Sequence, residues 1–151
     1  MRLKSILNRV EPHAGFVYEH ASFASSTDQP TIEIAIRPRR RSRGICSGCG
    51  QQRAGYDRLA PRRFEFVPLW GLAVVLVYAM RRVDCPQCGV KVEQVPWGDG
   101  KNQLATSYRW FLARWARRLS WSEVATIFQT SWDSVCRGVE HAVTWGWPAA
   151  T

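Results

Sequence analysis

The sequence predicts an α+β chain, strands first and helices after, and three observations carry that reading. Two Cys-x-x-Cys-Gly units, Cys46-Ser47-Gly48-Cys49-Gly50 and Cys85-Pro86-Gln87-Cys88-Gly89, adjoin stretches in which apolar and polar residues alternate. After Gly100 the apolar period lengthens from two to between three and four. The composition is that of a folded chain, with 46% hydrophobic residues and eight tryptophans in 151 positions, enough for one domain of ordinary size or two small ones.

In order, Leu3 to Val10 reads as a short helix and Phe16 to Phe23 as a strand, which the loop Ser25 to Pro30 breaks. Thr31 to Arg37 alternates Ile32, Ile34 and Ile36 with Glu33 and Ala35, the period of a half-buried strand. Arg37 to Arg43 holds five arginines in seven positions, and Arg53, Arg58, Arg62 and Arg63 continue the basic character through a loop. Phe64 to Leu69 reads as a strand, Trp70-Gly71 as a hairpin turn and Leu72 to Val83 as its return, apolar enough to be covered on both faces. Val90 to Val95 alternates again, and Pro96 to Gly100 is a break. The division that follows is a lead-in over 1–30, a β unit over 31–97 with little core beyond its cysteines, and a helical unit over 101–146.

In the helical unit, Leu104, Tyr108, Phe111, Leu112, Trp115 and Leu119 recur at helical spacing, with Arg109, Arg114, Arg117 and Arg118 largely off that stripe. Ser120-Trp121-Ser122-Glu123 has the form of a capping box, so a second helix should start near Trp121 and bury Val124, Ile127 and Phe128. Ser131 is a good N-cap for a third helix, on which Val135, Val139 and Val143 form the apolar stripe. Two helices joined by a short turn after a first helix make a helix-turn-helix arrangement, which sets the last helix in a major groove with Trp132, Asp133, Ser134 and Arg137 toward base edges. The departure is Gln129, in the turn where glycine is common.

Cys46, Cys49, Cys85 and Cys88 have the pattern of a tetrahedral structural metal site, for which Zn²⁺ is the expected cofactor. Gly50 and Gly89 can take positive φ and fold the backbone back toward the thiolates. Because closure entropy grows only with the logarithm of loop length, the long insert between the pairs is tolerable. Disulfides are the alternative, and the N-terminal residues do not read as a secretory signal that would favour them. Iron is a second alternative, since the paired motifs also resemble the metal site of rubredoxins. Cys136 reads as a small hydrophobe rather than a ligand.

The formal charge is +9, and 18 of the 21 basic residues are arginine. Four thiolates and Zn²⁺ would trim this to about +7, still the balance of a chain whose partner is a polyanion, nucleic acid ahead of a membrane surface. Arg39, Arg40, Arg41 and Arg43 are the expected phosphate contacts. The longest apolar run, Leu72 to Met80, is nine residues, far below the ~20 a spanning helix needs. The expectation is a cytoplasmic, nucleoid-associated protein without a membrane partner.

The four cysteines, with Leu119 to Ala125 leading to Ser131-Trp132-Asp133-Ser134-Val135, resemble the N-terminal half of bacterial ISL-three family insertion-sequence transposases. The resemblance covers about residues 40 to 145 and implies a zinc ribbon and a helix-turn-helix that bind double-stranded DNA at terminal inverted repeats. In that family a later ribonuclease-H-like domain performs strand transfer. Only Gly146 to Thr151 follow the third helix here, so the reading is a truncated transposase that keeps DNA binding without catalysis, with the full-length transposase as a further partner. The competing readings are a rubredoxin-like electron carrier and a protein-interaction adaptor or transcriptional regulator that docks a partner on Trp145 and Trp147.

Overall fold

The computed structural model describes residues 2–24 and 28–147. It is an α+β structure of six strands and four helices: α1 (Leu3–Val10), β1 (Phe16–Phe23), β2 (Thr31–Pro38), β3 (Gly44–Cys46), β4 (Gln52–Leu69), β5 (Leu72–Cys85), β6 (Gly89–Gln94), α2 (Thr106–Ala116), α3 (Trp121–Ile127) and α4 (Trp132–Trp145). The sheet order is β1-β2-β5-β4-β3-β6, with β6 also paired to β5. At the cysteine end the pairings of β5, β4, β3 and β6 therefore close on themselves. All neighbours are antiparallel except β2 and β5, which run parallel from Thr31↔Ala73 to Ala35↔Val77.

The β4–β5 hairpin turns at Trp70-Gly71, both with positive φ (51° and 73°), the backbone of a type I′ turn whose twist suits the flanking strands. Its first strand starts at Gln52, so the stretch to Arg63, expected as a loop, is strand paired to β5 from Ala54↔Asp84 onward. Nearly every residue from 52 to 63 is exposed, and bulges fall at Gly55/Asp57 and Arg58/Pro61. No alternation was there to mark the strand, because neither face is buried.

One face of the sheet is buried, formed by Phe16, Tyr18, Ile32, Ile34, Ile36, Phe64, Phe66, Val74, Leu76, Tyr78 and Met80. Val75, Val77 and Ala79 on the other face of β5 are only half-buried, so β5 is fully covered on one side and not on both. At the middle of the core stands Trp97, 2% exposed, edge-on to Phe16 at 4.8 Å, Tyr78 at 5.2 Å and Phe64 at 6.1 Å. A Cβ on Gly98 would lie 2.9 Å from the Phe64 ring, so glycine lets the chain leave Trp97 without pushing that ring away.

Residues 97–106 are laid along β4. The Glu65 N–H donates to Gln103 O (2.7 Å), the Ala105 N–H to Glu65 O (2.8 Å) and the Thr106 N–H to Trp97 O (2.9 Å). Arg62 donates to Gly100 O and Asn102 O, each at 2.7 Å. Leu104, Ala105, Tyr108, Leu112, Val124 and Val135 belong to the same apolar cluster as the sheet residues. The β region thus has a substantial core beyond its cysteines, and it shares that core with the helices.

The helices form where capping and periodicity place them, but some buried faces differ from expectation. Ser120 and Glu123 complete the capping box of α3, and Ser131 Oγ accepts the Ser134 N–H at the start of α4. Helix α4 buries Val135, Gly138 and Ala142, whereas Val143 is 69% exposed. The stripe is displaced because α4 crosses α2 at Gly138, where an added Cβ would lie 2.9 Å from Arg109 O and 3.3 Å from Leu112 Cβ. Ile127, expected inside, is 57% exposed, and Trp115 is 40% exposed. Arg109, expected off the stripe, is buried.

Candidate metal centre and basic loop

Cys46 ends β3 and Cys85 ends β5; the turns beyond them carry Cys49 and Cys88 back into the same space. The four Sγ atoms lie within 4.8 Å of one another, and Cys49 Sγ is 3.7 Å from Cys85 Sγ. A tetrahedral ion with metal–sulfur bonds of about 2.3 Å requires sulfur–sulfur edges of about 3.8 Å. The cluster therefore fits such an ion, and all four cysteines are free thiols. A Cβ at Gly48 would sit 2.8 Å from Cys88 Sγ, so glycine there keeps the space that the second thiol pair enters. Gly50 and Gly89 have φ of 72° and 79°, the left-handed turn that closes each knuckle.

The surroundings favour thiolate at part of the cluster. The Gly48 N–H points at Cys46 Sγ and the Cys88 N–H at Cys85 Sγ, each at 3.4 Å, and Arg53 Nη2 is 3.7 Å from Cys49 Sγ. At Cys85 burial opposes ionisation, but the amides of Cys88 and Gln87 and the thiols of Cys49 and Cys46 together outweigh it and hold the thiol at about 6. The Gln51 amide lowers Cys49 against burial, with help from Arg53. Burial, then Cys85 and Cys46, push Cys88 up to about 12. A divalent cation would ease that conflict by binding all four sulfurs as thiolates and offsetting two of their four charges.

Behind the knuckles, Glu93 is buried in β6. Its carboxylate accepts from the Tyr78 hydroxyl, from the Arg81 N–H (2.8 Å), and from Arg81 Nε (3.0 Å) and Nη2 (2.9 Å). Arg81 Nη1 also donates to Ser42 O at 3.0 Å. This network inverts the expected phase of β6, which exposes Val90 (42%) and Val92 (37%) while burying Glu93.

The Ser42 contact fixes the arginine loop. The Arg39 N–H donates to Gly15 O (2.7 Å), the Ser42 N–H donates to Arg39 O (3.0 Å), and Arg41 has φ of 69°. The segment is a tied turn. Arg39, Arg40, Arg41 and Arg43 are all exposed, and among the described residues none has an acidic partner.

On α4, Trp132 is 54% exposed and packs on Trp121 at 5.2 Å. Arg137 pairs with Asp133 one turn back at 2.9 Å, and Ser134 is engaged with the Ser131 cap. Gln129 takes φ of 52° in the turn before α4, the conformation glycine would supply. No hydrogen bond, ion pair or ring contact among the described residues joins this group to the arginine loop. Cys136 lies outside the cluster, its thiol raised by burial and by Glu140. The sequence reading missed Arg81 and Glu93, and it named Arg53 only as part of the basic run. Their one signal is charge inside or beside apolar strand segments, which becomes legible only once pairing sets Glu93 against Arg81.

The chain matches no known family model, no curated protein and no solved structure. Among the described residues no helix is long and apolar enough to cross a membrane.

Proposed function

We propose that this chain is a double-stranded-DNA-binding protein, built from a zinc ribbon and a helix-turn-helix of the kind found in ISL-three family transposases, that recognises terminal inverted repeats without cutting them. The observation that carries the reading is the loop of four exposed, acid-free arginines, tied through Ser42 O to Arg81 just ahead of the strand that ends at Cys46. A cationic turn with fixed backbone suits phosphate contact, because guanidinium forks bind phosphate oxygens in pairs. The metal is Zn²⁺, for which a closed four-thiolate site is usual.

The helices support the reading through the capped α3, the tight turn at Gln129 and the capped α4. The outward face of α4 carries Asp133 and Glu140 against Arg137, so it supplies little attraction to phosphates. Its share is base contact through Arg137 once the Asp133 pair opens, and the general attraction comes from the arginine loop. Among the described residues the four cysteines are the one group of three or more Cys, His, Asp or Glu side chains near enough to share an ion. On this reading a full-length transposase in the same cell would meet this chain as a competitor for its repeats.

A competition binding assay over a randomised duplex at two salt concentrations tests the proposal. Replacing Arg39, Arg40, Arg41 and Arg43 by alanine should weaken all sites together and lower the salt slope by roughly one unit for each phosphate the loop no longer neutralises. Arg137→Ala should flatten sequence preference by about 1 to 3 kcal/mol with little change in non-specific affinity. Salt-independent binding, or Mg²⁺-dependent cleavage by the pure protein, contradicts the proposal.

A further inference from the structure

A cleft of about 760 Å³ lies between the first knuckle, β6, the 96–101 segment and the C-terminal half of α4. Its walls combine two kinds of side chain. Arg62, Lys101 and Arg109 bring cations to it, and Leu59, Val92 and Trp145, exposed at 40%, 37% and 72%, give it an apolar side.

Arg109 is the unusual member. Its side chain is 5% exposed, yet Nε is buried with no partner, Nη2 has only Thr106 Oγ1 at 3.3 Å, and Nη1 lies 3.6 Å from Asp99 Oδ2. Buried guanidinium donors are normally satisfied, so a cavity-lining arginine this loosely held has capacity left for an anion. Two acids also line the cleft. Glu93 is occupied by Arg81 and Tyr78, and Asp99 is 67% exposed, which leaves the cations in excess. Arg62 contributes charge, since its terminal nitrogens already donate to Gly100 O and Asn102 O. An excess of about two positive charges matches a phosphate monoester, which carries about −1.5 to −2 near neutral pH, better than a carboxylate.

We infer that this cleft binds a single nucleotide unit, its phosphate at Arg109 and Lys101 and its base against Trp145. The unit is either a free mononucleotide or the 5′-phosphorylated end of an unpaired strand. The site is separate from Arg39 to Arg43 and from Trp132 to Arg137, so the fate of the duplex-binding reading does not decide it.

Isothermal titration of the zinc-loaded full chain with dAMP, inorganic phosphate, and a short single strand with and without its 5′-phosphate tests the inference. We expect dAMP to bind more tightly than phosphate, because stacking adds to the charge contact. Lys101→Ala and Trp145→Ala should each weaken dAMP by about tenfold without moving the melting temperature. Both side chains are exposed, so neither change rests on refolding a core, as Arg109→Met would. Competition between dAMP and the strand that needs the 5′-phosphate assigns a strand end, and dAMP binding without competition assigns the free nucleotide. Absence of heat with dAMP at millimolar concentration, or unaltered binding in both variants, overturns the inference.

Discussion

Replacing Glu93 by glutamine tests what joins the cysteine end to the sheet. Glutamine keeps one oxygen for the Tyr78 hydroxyl and the Arg81 amide, but it turns an NH₂ group toward the guanidinium that Glu93 neutralises through Nε and Nη2. The Glu93 side chain is 0% exposed and that of Arg81 is 12% exposed, so little water reaches the charge left behind. Removing one partner of a buried pair typically costs about 3 to 5 kcal/mol. Arg81 retains its bond to Ser42 O, which places the expected loss near the lower figure, about 3 kcal/mol. If the loss comes from an uncompensated charge, Glu93→Gln with Arg81→Met should recover about 2 kcal/mol of it. Urea unfolding of the wild type, both single variants and the double variant, all with Zn²⁺ added, gives the coupling directly. A single-variant loss below about 1 kcal/mol with no coupling would refute the claim that this pair anchors the knuckles.

Three further outcomes follow from the same structure. Chelation, or Cys46→Ser, should release amide protection at the closed four-stranded end while Ile34 and Leu76 stay protected, because the main apolar cluster contains no cysteine; loss of protection at Leu76 in hydrogen exchange would show that the whole sheet depends on metal. Gln129→Gly should raise stability by about 0.5 to 1 kcal/mol, since relief of the left-handed backbone exceeds the added chain entropy, and a lower thermal midpoint would contradict this. His13 lies against Trp97 and Tyr18, and burial lowers its pKa from the ordinary 6.5. Below pH 6.5 the unfolded chain takes a proton that folded His13 resists, so stability should decline as pH falls from there. His13→Phe should flatten that decline over the interval where wild type loses stability, leaving the share due to His141, whose pKa burial also lowers; identical pH profiles would count against it.

What the sequence made legible was whatever carries a local signal. The bounds of α1 and β1, the hairpin turn at Trp70-Gly71 and the capping box of α3 all sit where periodicity or turn chemistry placed them. The four cysteines meet as their spacing implied. What escaped depends on partners distant in the chain. Trp97 lies among Pro96, Gly98, Asp99 and Gly100 and reads as part of a break, yet it centres the core because three rings from β1, β4 and β5 converge on it. Val90 and Val92 look like the inner face of β6, but the Arg81–Glu93 pair turns the strand over. Arg109 reads as solvent-facing until Gly138 allows α4 to close over that side of α2.

The β4–β5 ladder runs from Leu69↔Leu72 to Ala54↔Asp84, joining its core half to its cysteine half directly, with bulges at Arg58/Pro61 and Gly55/Asp57 along the way. Nine strand steps separate Leu76, at 0% exposure in the core, from Cys85, about 30 Å of paired backbone. The ladder therefore acts as a ruler between the knuckles and the helices. Adding one residue to each strand between those points would rotate the knuckles to the opposite face as well as move them outward, whereas adding two would extend the reach by about 7 Å and restore the facing. Lengthening in pairs of residues is thus the route by which the spacing of the two ends can change while both keep their orientation.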